Sequence, residues 1–245
     1  MRRSLKVTTR SIGIIGASPE GASLFFRQVA RHAGKLLPPD RHPVITLHNE
    51  RLADYIAAIH QHDWMAVGKL LRRSAEVLAK AGAQFGVTPD QVVIHALPIA
   101  QAGSPIPLVN PATLVAQAVQ NAGQKHVGLI GTKMVMQGAA YQTLLGLRGI
   151  RVEIPSEFEC DTLENIIFEE LIYGTCKPSS QTAILTIVGA LAKRGCEGVI
   201  LGCSEAPMVV TAENCEIRTY DAVDILAEQA VRLAMSTEPI PVGGM

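Results

Sequence analysis

The sequence predicts an α/β protein of two pseudo-symmetric lobes, each a parallel sheet flanked by helices, with the active site between them. Three observations predict it. Short, continuous apolar runs alternate with helix-periodic stretches along all 245 residues, the pattern of a parallel sheet covered by helices. The apolar runs end in glycine or small polar residues, at the strand ends where such sheets bind ligands. The second half of the chain also repeats the first. Ile12 to Gly21 parallels Val127 to Gly138 at an offset of 115, Ala79 to Ala83 parallels Ala192 to Cys196 at 113, and Gln91 to Ala96 parallels Gly198 to Cys203 at 107. The change from 113 to 107 reads as a six-residue insertion in the first half, near Phe85 to Asp90. The expected division is residues 1–108 with the C-terminal helix 221–245 as one lobe, and 109–220 as the other.

The elements follow in order. Ser11 to Gly16 is an apolar run ending in glycine, and the turn Ala17-Ser18-Pro19-Glu20 opens a helix through Phe25, Phe26 and Val29. His42 to His48 reads as the second strand. Val67, Leu70, Leu71, Ala75 and Leu78 repeat at helical spacing, with Gly82 as the stop. Gln91 to Ala96 reads as a buried strand, and Val127 to Gly131 as another. Leu163, Ile166, Ile167 and Leu171 form a helical stripe closed by Gly174; Ile184, Ile187, Val188 and Leu191 form one closed by Gly195. Gly198 to Gly202 is the last strand before a helix over Ala222 to Ala234.

Composition excludes several classes of function. Acidic and basic residues balance at 22 each and apolar residues make up 48%, which excludes disorder and argues against a nucleic-acid platform or electrostatic membrane attachment. No apolar run approaches the ~18 residues of a membrane span. The basic start, Met1 to Arg10, precedes an apolar run too short for a signal peptide, so a cytoplasmic protein is expected. The five cysteines, at 160, 176, 196, 203 and 215, are odd in number and lack CxxC or zinc spacing, so neither a disulfide framework nor a metal site is expected. His60 and His62 diverge around a helix, and Gly13-x-x-Gly16 lacks the remainder of a dinucleotide fingerprint.

Cys203 is the strongest candidate for chemistry. It ends an apolar strand after Gly202 and begins Cys203-Ser204-Glu205, where backbone N–H groups can hold a reactive thiolate. The alternative is a small buried hydrophobe. His95 is titratable and suited to acid/base work near neutral pH, although strand alternation turns it from the face Ala96 occupies. Glu205 either orients its loop or is a helix N-terminal acid.

Ile12 to Phe26, Gly131 to Tyr141, Glu164 to Leu171 and above all Val199 to Val210 (VILGCSEAPMVV) resemble the aspartate/glutamate racemase family, in order and through nearly the whole chain. The resemblance implies two pseudo-symmetric lobes, frequent homodimers, no PLP or metal, and two cysteines flanking the substrate α-carbon. Cys203 and Ser204 match that pattern, as does Thr132. The first-lobe motif, roughly Cys-Asn-Thr-x-His, falls on Ala96-Leu97-Pro98-Ile99-Ala100, and a lysine common before the Glu164 segment falls on Thr162. The first catalytic cysteine is thus lost at Ala96.

The resemblance implies a cofactor-independent isomerase acting at the α-carbon of a small carboxylate or amino acid. Cys203 would be the acid/base, with Ser18, Thr132 and Ser204 lining the anion pocket and Glu205 and Ala96 beside it. His95 is a possible second base. A single-cysteine decarboxylase, or other enolate chemistry, keeps the same fold and cysteine. A catalytically silent pair of lobes binding a metabolite or partner is the third reading.

Overall fold

A computed structural model describes residues 9–241; the expectations for residues 1–8 lie outside the described residues. The chain divides into two compact units. Among the described residues, the first holds 9–89, 96–110 and 226–241, and the second holds 90–95 and 111–225.

The first unit contains β1 (Ile12–Gly16), α1 (Pro19–Leu36), β2 (Ile45–Asn49), α2 (Leu52–His60), α3 (Trp64–Lys80), β3 (Phe85–Val87), α4 (Leu97–Gln101) and β4 (Leu108–Val109). Its sheet is parallel, in the order β2-β1-β3-β4. Ile12, Ile14 and Ile15 of β1 are fully buried, as expected of the central region of a helix-covered sheet. Ser18 caps α1, its hydroxyl accepting from the Gly21 N–H at 3.3 Å, and Asp63 caps α3 through the Ala66 N–H at 2.9 Å. Gly82 stops α3 at φ +94°, in the left-handed region glycine enters without steric cost.

The second unit contains α5 (Pro111–Asn121), β5 (His126–Ile130), α6 (Lys133–Gln137), α7 (Ala139–Gly146), β6 (Arg151–Glu153), α8 (Glu157–Glu169), α9 (Pro178–Lys193), β7 (Gly198–Leu201) and β8 (Arg218–Asp221). Its sheet is also parallel, in the order β6-β5-β7-β8, so β5 corresponds to β1 and β7 to β3. Ser156 and Glu159 form a reciprocal capping box at the start of α8. The last helix, α10 (Ala222–Met235), begins in the second unit and continues in the first.

The strand expected at Gln91 to Ala96 is corrected. That segment is a 3-10 helix, and the strand is instead β3, which ends four residues before it and is only three residues long. A short apolar run does not by itself distinguish a strand from a buried helical turn, and Pro89, which has no N–H to give a ladder, lies between β3 and this segment. The register also removes the six-residue insertion. Ile12 pairs with Phe85 as Val127 pairs with Gly198, so the offset of 113 between the two halves continues through the strand. Ala96 is therefore not the strand-end counterpart of Cys203. It is the fully buried last residue of the 3-10 helix, and Leu97 and Pro98 begin α4.

Candidate active site

The second unit gathers polar groups at the C-terminal ends of its strands. β5 and β7 are neighbours, and both end in glycine turns. A Cβ on Gly131 would lie 3.0 Å from the Gly202 carbonyl oxygen, and one on Gly202 would lie 3.0 Å from the Ile130 carbonyl oxygen. The two turns thus touch backbone to backbone, and any larger residue would force them apart. Thr132 and Cys203 are the next residues along each chain. The Thr132 side-chain oxygen is buried without a hydrogen-bond partner, a costly state for a hydroxyl and one that a bound anion would relieve.

Cys203 is 7% exposed. Backbone N–H groups of Ala206 and Glu205 donate toward its sulfur, which favours the thiolate, but burial together with the nearby carboxylates of Glu205 and Asp221 outweighs them. The thiol is pushed up to about 12. The strand-end position alone points to a thiolate; in the folded protein burial and the two carboxylates favour the protonated thiol. Ser204 donates to Glu205 Oε1 at 2.8 Å, and Glu205 precedes the 3-10 turn Ala206–Met208. Glu205 thus holds the hydroxyl of its neighbour, and its negative charge also acts on the sulfur.

Two features here had no strong signal in the sequence. Asp221 ends β8 and accepts from the N–H groups of Val223 and Asp224, both at 3.0 Å, which caps the start of α10. Burial raises its pKa above the ordinary carboxylate value despite those bonds. Tyr141, fully buried, donates to Gln91 Oε1 at 2.7 Å, which ties the 3-10 segment to α7. An isolated Asp before a helix is a recognisable cap, but the tyrosine–glutamine pair spans 50 residues and leaves no local trace.

The other predicted residues are accounted for as follows. His95 lies in the 3-10 helix, half-buried, with a ring N–H toward the Met134 carbonyl. Burial lowers its pKa more than that bond raises it, so the ring is neutral near pH 7. The imidazole occupies the space a Cβ of Gly138 would need. Ser18 and Ala96 belong to the first unit, and the Ser18 hydroxyl serves α1. Thr162 gives its hydroxyl to the Phe158 carbonyl at 2.9 Å. Lys133, next to Thr132, is held by Glu157 at 2.7 Å and Asp161 at 2.6 Å. Among the described residues no group of three His, Cys, Asp or Glu is arranged to hold a metal, and no helix is long and apolar enough to cross a membrane.

These features define a class: two parallel α/β units of one topology, with a buried cysteine at the mouth of the second sheet. The profile of the Asp/Glu/Hydantoin racemase family matches residues 12–230, and the chain belongs to that family. Among solved structures, a Yersinia pestis protein described as a candidate Asp/Glu racemase is 26% identical, with a TM-score of 0.86, over 93% of this chain and 100% of its own. An aspartate racemase homologue from Pyrococcus horikoshii is also 26% identical, with a TM-score of 0.83 and the same coverage. Glutamate racemase from Francisella tularensis shares the fold at 15% identity and a TM-score of 0.68, over 96% of this chain and 86% of its own.

Proposed function

We propose that this protein is a cofactor-independent enzyme that moves a proton at the α-carbon of a small carboxylate or amino acid, with Cys203 as acid/base. The observation that carries the reading is the pairing, on adjacent strand ends, of a buried protonated thiol with a buried hydroxyl that has no partner. The Thr132 hydroxyl donates to the substrate carboxylate. The Cys203 thiol protonates a carbanion or enolate beside it, leaving a thiolate that the Ala206 and Glu205 N–H groups receive. In the reverse direction that thiolate removes the α-proton and the electron pair stays on carbon.

Substrate charge follows from the surroundings. Glu205 and Asp221 make the field at the sulfur negative, Lys133 is neutralised by two acids, and Thr162 is occupied by Phe158. A second carboxylate on the substrate is therefore disfavoured, and the enzyme works poorly on free aspartate and glutamate. Chiral chromatography of each enantiomer tests this; efficient racemisation of either contradicts it. The test of the mechanism is Cys203→Ala, with the fold checked by circular dichroism. A positioned acid/base contributes ~100-fold or more, so turnover falls by at least that factor, whereas a variant keeping more than about a tenth of the turnover removes Cys203 from the chemistry.

A further inference from the structure

We infer that Asp90 is the second proton-transfer group of the reaction, which makes that reaction an inversion at the α-carbon. The inference rests on the reading of Cys203 as acid/base and adds the group that reading leaves unnamed.

Sheet register carries it. Phe85 of β3 pairs with Ile12 as Gly198 of β7 pairs with Val127, and β3 and β7 hold the same place in two sheets of identical order. Five residues on from Phe85 is Asp90, and five on from Gly198 is Cys203. Thr88-Pro89-Asp90-Gln91 thus stands where Leu201-Gly202-Cys203-Ser204 stands in the other half. Although β3 belongs to the first unit, the chain from Asp90 to His95 is grouped with the second, the unit that holds Cys203.

The surroundings fit a site. Gln91 is buried and fixed by Tyr141, which anchors the segment next to Asp90. Asp90 itself is partly exposed. Thr88, two residues before it, is 1% exposed and its hydroxyl has no hydrogen-bond partner, repeating what is seen at Thr132.

Chemically the two groups are complementary. A carboxylate is ordinarily ionised near neutral pH and accepts a proton, whereas a thiol offers one. In one direction Asp90 takes the α-proton and becomes the neutral acid, and the C–H electron pair remains on the substrate as an enolate. Cys203 then gives its S–H proton to the other face and becomes the thiolate. In the other direction the roles exchange. Proton exchange with water resets the pair, and no oxidant, reductant or co-reactant is needed.

The test is α-proton exchange and inversion in deuterium oxide, followed by proton NMR and chiral chromatography. The probes are single enantiomers of alanine, serine, phenylalanine, lysine, aspartate and glutamate. Wild type is expected to exchange and invert at least one pair. Asp90→Asn is expected to lose inversion by ~100-fold or more while still exchanging one enantiomer, and Cys203→Ser to exchange only the opposite one. Asp90→Cys, which restores a proton-carrying group, is expected to invert where Asp90→Asn does not, which separates lost chemistry from lost folding. If Asp90→Asn inverts at the wild-type rate while Cys203→Ser is inactive, Asp90 is overturned and Cys203 stands, with another residue serving the opposite face. If both variants invert like wild type, or no probe exchanges with wild type, the reading of Cys203 falls as well.

Discussion

At Cys203 two backbone N–H groups pull toward the thiolate, while burial and two carboxylates push toward the thiol, and the push prevails. Alkylation should show it. Iodoacetamide is expected to react slowly with Cys203 at pH 7.5 and to accelerate through pH 9 to 12, as followed by peptide mass spectrometry; fast labelling at pH 7.5 would contradict the buried thiol. Stability carries the same sign. The native thiol holds its proton more tightly than the unfolded one, so this contribution is complete below about pH 9 and is lost as pH rises toward 12. Wild type is therefore expected to lose more melting temperature between pH 8 and pH 11 than Cys203→Ser. The place of this residue just past a strand was legible in the sequence, but its protonation state was not, because Asp221, which also acts on it, lies 18 residues further along the chain. Ala96 shows the reverse: its apolar run predicts a strand, but the segment is a 3-10 helix and the implied strand end does not exist. Ala96→Cys is accordingly expected to add no racemisation, because the residue is 0% exposed inside a 3-10 helix. A gain of inversion in that variant would restore the rejected alignment.

Most elements follow from patterns that act within a few residues. The helices α1, α3, α8 and α9 announce themselves through apolar spacing, caps and stopping glycines, and Gly82, Gly174 and Gly195 all take positive φ. β3 does not, since its three residues end in Thr88 and Pro89 and are followed by a longer apolar run. Only ladder pairing to β1 and β4 marks it as the strand, and pairing is a non-local property. Asp221 gives an element-level prediction because it caps α10 and also bears on Cys203. Asp221→Ala should cost about 1 kcal/mol of stability, the usual loss for a removed cap, whereas Asp221→Asn keeps a capping oxygen. Asn also removes a buried carboxylate, so Cys203 should be alkylated faster at pH 8.5 in that variant than in wild type. Equal rates would show that Asp221 does not contribute to the field at the sulfur.

Across the whole molecule, a repeated unit accounts for the fold and for where the candidate site residues fall. Both sheets carry one strand order, and the register relates them residue by residue. The halves were visible in the sequence through three short anchors, two of which the register supports; the third came from the misread segment. α10 serves both units, with Ala222 and Val223 buried in the second and Leu226, Ala227, Ala230 and Val231 in the first. Leu226→Ala should therefore cost about 2–5 kcal/mol, as buried leucine truncations do, measured by urea denaturation; a cost under about 1 kcal/mol would show that the helix is dispensable.

The proposed proton transfer by Cys203 is tested most directly by a crystal structure with an amino acid that the wild-type enzyme exchanges in deuterium oxide, bound to the Cys203→Ser variant. The account predicts the substrate carboxylate on the Thr132 hydroxyl and the α-carbon about 3–3.5 Å from the Ser side-chain oxygen, the approach a proton transfer needs. An α-carbon beyond reach of that position, or a carboxylate bound away from Thr132, would contradict it.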